Sequence, residues 1–395
     1  MFKAITRTIW ILSVISLFND MASEMLYPVM PVYLKKIGFS MLLIGVLEGI
    51  AEAVSGISKG YFGSLSDRSG KRMPFVQAGY LLSALSKPLI ILFINPVWVF
   101  LMRTADRFGK GIRVSARDAV LSDESSPQTK GKIFSFHRGM DTMGAVLGPS
   151  LALIYLYFHP DDYRTLFIIA LAPGIFTVMF TLLLKDKKHH APLAKNKIHF
   201  FSFLQHWKTS PALYKKVVIG LLLFMLFNSS DIFLLMKVKE TGMNDQQMIG
   251  VYIFYNLIYA LAAFPLGILA DKIGLKNMLG FGLLIFAFVY FGMSKADSIE
   301  FFAVLFFMYG IYAAATEGIS KALISNISDK SHTATAIGTY TAFQSICTML
   351  ASSIAGLIWM EFNANTVFVL SAAVTLIVAV YFLLVIRIPE IQSDP

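Results

Sequence analysis

Apolar stretches of about twenty residues follow one another almost without pause from residue 8 to residue 386 of this 395-residue chain. A hydrocarbon core about 30 Å thick needs about 20 apolar residues per helical crossing, so the run has room for roughly a dozen spans. The stretches are continuous rather than alternating, which excludes a transmembrane barrel. Hydrophobic residues make up 56% of the chain and charged residues 15%, with a mean hydropathy of +0.66. These values exclude a water-soluble protein, a disordered chain and a coiled coil. The single cysteine, Cys347, lies in an apolar stretch and leaves no intrachain disulfide to form. The expected fold class is an all-α polytopic membrane protein.

The pattern predicts spans at 8–34, 40–66, 74–94, 96–120, 133–158, 164–184, 214–238, 246–270, 277–294, 299–325, 334–360 and 365–386. The first is too long for a signal peptide, carries Asp20 and Glu24, and lacks a small-residue cleavage site. An even number of spans puts both termini on one side. With the termini in the cytoplasm, the inner segments hold nineteen Lys and Arg residues and the outer loops six. The positive-inside rule therefore places both ends inside. The net charge of +10 reads as cytoplasmic loop charge, with no nucleic acid as a partner. The segment 185–213 is the one long polar break. It divides the chain into an N-terminal six-helix bundle (1–184), a cytoplasmic linker (185–213) and a C-terminal six-helix bundle (214–395).

The halves repeat each other. Leu17-Phe18-Asn19 recurs as Leu226-Phe227-Asn228, and Ile44-Gly45-Val46 as Ile249-Gly250-Val251. Gly63, Asp67, Arg68 and Gly70 recur as Gly267, Asp271, Lys272 and Gly274; Gly111-Ile112 and Ser122-Asp123 recur as Gly318-Ile319 and Ser328-Asp329. Single matches of this length mean little, but five in the same order at nearly constant offset mark an internal duplication. Six spans per half make the repeats parallel and pseudo-symmetric, which places a substrate near the midplane between two similar bundles.

The stretch GSLSDRSGKR at 63–72 resembles the loop between helices 2 and 3 of the major facilitator superfamily, with Gly63, Asp67, Arg68, Gly70, Lys71 and Arg72 fitting its pattern. GILADKIGLK at 267–276 is similar to that family's loop between helices 8 and 9. The glycines suit a tight turn and close helix approach. Asp67 can sit against a helix N-terminus or a basic partner, and Arg68 and Arg72 can reach an acid such as Asp118 or Asp123. The resemblance implies that Asp67, Arg68, Arg72 and the second-copy Asp271 gate the cytoplasmic side. Gly139, Gly144, Gly148 and Pro149 resemble the family's helix-5 antiporter signature, which bends that helix against its counterpart across the interface; Ser150-Leu151-Ala152 stands where a trailing Gly-Gly is usual. The segment at 103–119 departs from the helix-4 signature of proton-coupled members by its dense charge.

Leaving aside Arg164, Lys215, Lys216, Lys237 and Glu300 at span ends, eighteen Asp, Glu, Lys and Arg residues fall inside the expected spans, nine basic and nine acidic, fifteen of them in the first half. An unpaired charge at the bilayer centre costs at least ~2.5–3.5 kcal/mol, so these residues must pair or face water. At about 100° per residue, Arg103, Asp106, Arg107, Lys110, Arg113 and Arg117 share one face of helix 4, which cannot point at lipid. Asp20 and Glu24 share a face of helix 1; Glu48, Glu52 and Lys59 share one of helix 2. Either these acids neutralise the helix-4 cations in a structural network, or an acid–arginine pair drawn from Asp20, Glu24, Arg103 and Arg107 exchanges a proton and a substrate. Asp231 and Glu317 either line the cavity or pair between domains. Asn19 and Asn228 either bind substrate or tie helices together. The Phe and Met residues read as packing or lipid-facing.

No catalytic constellation, metal-ligand spacing or phosphate-binding glycine loop is present, so the chain reads as a non-enzyme without metal or cofactor. The expectation is a monomeric secondary transporter in the cytoplasmic (inner) membrane, resembling proton-coupled bacterial efflux members of the superfamily. Its partners are protons, the lipid bilayer and a small polar or anionic solute that it exports by rocker-switch alternating access. The alternative is import of an organic anion or a metal chelate such as an iron–siderophore.

Overall fold

A computed structural model of the chain describes residues 5–27, 29–39, 41–160, 162–186, 202–243 and 245–387. The lysine-rich part of the expected linker, 187–201, lies outside the described residues, as does the side chain of Glu48. In chain order the helices are α1 (Arg7–Leu26), α2 (Met30–Lys36), α3 (Met41–Ser69), α4 (Met73–Leu89), α5 (Pro96–Asp123), α6 (Lys130–Phe158), α7 (Tyr163–Ile169) and α8 (Leu171–Thr181). They continue as α9 (Ser202–Thr209), α10 (Ala212–Met225), α11 (Ile232–Glu240), α12 (Asp245–Ile273), α13 (Leu275–Met293), α14 (Ile299–Asn326), α15 (Thr333–Glu361) and α16 (Ala364–Val380). Among the described residues there is no strand.

Nine spans among the described residues are long and apolar enough to cross a membrane. Their large side chains stay exposed along whole helix faces, as at Leu147, Leu151 and Ile154 on α6 or Leu376, Ile377 and Val380 on α16. Such faces are expected where the solvent is hydrocarbon and every backbone polar group is satisfied inside the helix. Side chains cap several N-termini. Asn95 accepts from the Val97 amide at 2.8 Å, Ser298 from Phe301 at 3.3 Å and Asn363 from Thr366 at 2.9 Å. The remaining expected positions are α3 and α5, which carry intramembrane charge, and the α10–α11 pair. At 1.5 Å per residue the 29 residues of α3 run about 43 Å, ample for a crossing.

Three expected spans are corrected in detail. The first is two helices, α1 and α2. The span at 164–184 is divided between α7 and α8, where Pro173 contributes no amide to the first turn of α8. The span at 214–238 breaks between Met225 and Ile232. Asn228-Ser229-Ser230-Asp231 is a run of short polar side chains that compete for backbone partners. Ser230 donates its amide to Ser352 Oγ at 3.3 Å, its own Oγ accepts from Ile232 at 3.4 Å, and Asp231 stands at the N-cap of α11. The expected helix-7 acid is thus at a helix break.

The chain forms two compact units. Unit 1 comprises 1–124, 140–209 and 329–345; unit 2 comprises 125–139, 210–328 and 346–395. Helices α6 and α15 therefore each contribute to both. In unit 1, α5 packs on α3 and α4, and α1 packs on α8. Unit 1 also holds α9, where His206 stacks on His332 with ring centroids 6.2 Å apart and Trp207 meets Phe343 edge-on at 5.5 Å. Burial first, and then the neighbouring His332, push the His206 imidazole down to about 4. In unit 2, α14 packs on α12 and α13, and α13 on α16, around an aromatic core in which Phe286 stacks on Tyr290 at 3.9 Å.

Candidate functional site

The charged stripe of α5 is inside unit 1. Arg103, Asp106, Arg113 and Arg117 are buried, and Arg107 and Lys110 are half-buried. Their partners come from three helices. Asp106 takes Lys87 of α4 at 3.0 Å and Arg103 at 3.4 Å, and accepts the Ser83 hydroxyl. Arg107 reaches Glu52 of α3 at 4.0 Å, the loosest of these pairs and the one most open to solvent. Arg113 lies 4.5 Å over the Tyr80 ring, and Arg117 pairs with Asp118 at 2.9 Å. Lys110 faces Glu52 and Asp20 without an ion-pair contact. Glu24 faces Lys110, Arg107 and Arg103. Asn19 is buried and donates to Asp20 at 3.1 Å. Asp20, Glu24, Arg103 and Arg107 thus share one neighbourhood, with Lys110 at its middle.

The acids of the second half have a different setting. Asp231 accepts the hydroxyls of Tyr255 at 2.8 Å and Tyr309 at 2.7 Å and has no cationic partner among the described residues. Glu317 stands near Asp231 and beside Tyr312. Asn228 donates to the Tyr312 hydroxyl at 3.2 Å. All these contacts lie within unit 2. The sequence reading did not single out the tyrosines. Their one signal was spacing: Tyr252, Tyr255 and Tyr259 recur at i, i+3 and i+7 along α12.

The duplicated loop motif forms two equivalent contacts. In unit 1, the Asp67 carboxylate accepts the amides of Ala334 at 3.3 Å and Thr335 at 2.7 Å, and the Thr335 hydroxyl at 2.7 Å. In unit 2, Asp271 accepts the amides of Gly131 at 2.8 Å and Lys132 at 2.9 Å. In both places the donors are the second and third amides of a helix, α15 and α6 respectively. Those amides have no partner inside their own helix, and the helix dipole favours an anion there. Gly63 and Gly267 make the approach possible. A Cβ at Gly63 would lie 2.5 Å from the Ala334 carbonyl oxygen, and one at Gly267 2.8 Å from that of Gly131. Gly70 and Gly274 follow with φ of +62° and +92°, a left-handed conformation that turns the chain into α4 and α13.

Arg72 contacts Asp67 at 3.1 Å and Asp123 at 2.8 Å, and its amide donates to Asp186 at 3.1 Å. Arg68 lies half-buried beside it. Asp118 is paired with Arg117, its neighbour on α5, so of the two acids suggested for Arg72 the contact is with Asp123. Thr335 and Asp186 were missed, since neither belongs to the duplicated motif and each is brought to it from a distant part of the chain. The helix-5 glycines are also corrected. A Cβ at Gly144 would lie 2.4 Å from the Leu17 carbonyl oxygen and one at Gly148 2.5 Å from that of Met21, so both face α1. Gly139, in unit 2, meets α12 at Ala260. The α6 helix runs on through Pro149.

The Major Facilitator Superfamily model matches residues 12–255 and 238–395. An uncharacterised MFS-type transporter of Methanocaldococcus jannaschii is 34% identical, covering 90% of this chain and 89% of the relative. The multidrug resistance protein MdtG of Klebsiella pneumoniae is 23% identical over 94% of this chain and 92% of its own. The crystal structure of the human organic anion transporter MFSD10 (TETRAN) superposes with a TM-score of 0.80 at 14% identity, covering 95% of this chain and 99% of that one. The chain belongs to the Major Facilitator Superfamily. It is a multi-pass membrane transporter with the superfamily's fold, and by that membership not an enzyme.

Proposed function

We propose that the protein is a proton-coupled exporter of a small polar or anionic solute, a monomer of the cytoplasmic membrane with both termini in the cytoplasm. The two sequence halves, 1–184 and 214–395, rock about a central site. The observation that carries the reading is the duplicated cap, in which Asp67 of one half holds the first turn of α15 and Asp271 of the other holds that of α6. Two equivalent, charge-assisted contacts suit a reversible latch better than a static strut, because each is made of a few hydrogen bonds rather than a large apolar face. In this reading both caps are made while the cytoplasmic side is shut, and both break when it opens.

Arg107 and Lys110 provide positive charge for the solute, while Asp20 and Glu24 supply the acid that exchanges a proton. Asn19 and Asn228 supply neutral hydrogen bonds, and Asp231 and Glu317 are the second half's acids. Export agrees with the printed name of the Klebsiella relative. The test is reconstitution in proteoliposomes carrying a pH-sensitive dye, with a panel of small organic acids, sugars, drugs and iron chelates presented under an imposed pH gradient. Proton flux that rises with a solute moving against the proton supports the reading. Solute moving with the proton overturns export, and solute transport that ignores both signs of gradient overturns coupling.

A further inference from the structure

Glycines at 144 and 148 let α6 lie against α1 in unit 1, and Asp141 stands one turn before the first of them. A Cβ at Gly144 would also sit 3.1 Å from that of Asp20. At this crossing the side chains of Asp20 and Asp141 stand next to each other: Asp20 lies against Gly144, and Ser16, one turn before Asp20 on α1, meets Asp141. Asp141 is buried and accepts the Ser16 hydroxyl; Ser16 in turn accepts from Arg117 Nη1 at 3.2 Å. The other bond to Asp20 comes from Asn19. The remaining charged groups facing the pair are Glu24 on α1, and Lys110 and Arg117 with its partner Asp118 on α5. Arg138, one turn earlier on α6, hydrogen-bonds Tyr259 at 2.7 Å.

Two carboxylates set side by side in a low-dielectric interior do not both ionise, and a proton held by one relieves the repulsion. From this juxtaposition we infer that Asp20 and Asp141 hold one proton between them, so that Asp141 is a positioning residue for the proton site. Arg117, acting through Ser16, favours the negative charge on Asp141 and leaves the proton on Asp20. When α1 and α6 part, the Asp20 O–H bond breaks, the proton passes to water, and the carboxylate left behind faces the Lys110 ammonium. The inference rests on the proton-coupled reading and adds to it a residue, Asp141, that the candidate site drawn from the sequence did not include.

Infrared difference spectroscopy on the full chain in lipid nanodiscs, with carboxyl-labelled aspartate, tests this without a substrate. Near neutrality the wild type is expected to show a protonated aspartic acid band that Asp20→Asn abolishes. Asp141→Asn removes the like charge, and the ratio of acid to carboxylate at the same pH falls about tenfold if the two sites interact by about one pH unit. Asp141→Glu, which keeps the charge, restores the band. A wild type without the band, a band that survives Asp20→Asn, or one indifferent to Asp141→Asn overturns the inference. Asp20→Asn decides alone if Asp141→Asn does not fold. Proton flux in proteoliposomes separates the two ideas. Flux with an indifferent band sinks the pair and leaves coupling, whereas the band without flux sinks coupling and leaves the pair.

Discussion

A cation inside a membrane protein can hold the fold together or wait for a ligand, and the two differ in how it is partnered. Asp106 is buried between Lys87, Arg103 and Ser83. Removing it strands two buried ammonium and guanidinium groups, so Asp106→Ala is expected to cost about 3–5 kcal/mol, read as a lowered unfolding temperature in detergent. Arg107 is half-buried and reaches the partly exposed Glu52 carboxylate at 4.0 Å. Arg107→Ala should unfold close to wild type yet lower solute transport at least about tenfold, the loss of one charge-assisted hydrogen bond of ~1.5–3 kcal/mol. His206 sits outside the membrane and adds a pH response. Its ordinary value of 6.5 is pushed down to about 4 by burial. The docked α9 thus binds fewer protons than the released one, and its docking is fully present above pH 6.5 and lost as pH falls toward 4. The slope cannot exceed ~1.4 kcal/mol per pH unit for one proton. Amide protection at 202–209, corrected for the intrinsic pH dependence of exchange, should fall across that window and become pH-independent in His206→Phe. Sequence spacing was enough to put the α5 cations on one inward face. It could not say that Asp106 rather than Glu52 takes Lys87 and Arg103, or that tyrosines rather than a cation hold Asp231, because those partners come from other helices.

Helix positions were legible because hydropathy and length decide a crossing, and helix interruptions were legible less well. Asn228-Ser229-Ser230-Asp231 sits inside an apolar window whose average hides it, yet four short polar side chains there end α10 and start α11. The glycines of α6 were legible as close-contact positions but not as to which helix they meet, since a stripe of small residues carries no address. Structure supplies the address, and with it a graded prediction. Gly144→Ala places a methyl 2.4 Å from the Leu17 carbonyl oxygen and 2.9 Å from the Met21 amide nitrogen, both backbone atoms that cannot swing away. The helices must part, at a cost of ~1–3 kcal/mol and a matching fall in unfolding temperature. Gly250, on α12, has nothing within 4 Å of its missing Cβ. Gly250→Ala should therefore raise stability by ~0.5–1 kcal/mol, the helix-propensity gain with no packing penalty. Equal effects of the two substitutions would show that α6 and α1 do not meet as described.

Across the whole chain, duplication matters because it repeats one chemical device, once in each unit. Asp67 and Asp271 each accept the second and third amides of a helix, at positions 204 residues apart in the sequence. The two are not equal in setting. Asp67 also accepts the Thr335 hydroxyl and lies 3.1 Å from Arg72, whereas Asp271 is described with its two amides. Replacing either carboxylate by an amide keeps an acceptor but removes the charge, which is what the helix dipole and the charge-assisted bonds respond to. Each loss is worth ~1–2 kcal/mol of the capped arrangement, a five- to thirtyfold shift in its population. Asp67→Asn should shift more than Asp271→Asn, because it also leaves Arg72 with Asp123 alone. Sites far apart and without shared partners add, so the double variant is expected to shift the equilibrium on the order of a hundredfold or more. Thiol-reactive labelling of single cysteines introduced at Ala334 and at Lys132, next to Gly131, reads that equilibrium, once Cys347 is replaced. Labelling should accelerate in each single variant and most in the double, while solute affinity changes less than turnover. If Asp271→Asn accelerated labelling at Lys132 with turnover intact, the second cap would be a strut of unit 2 and not a moving part.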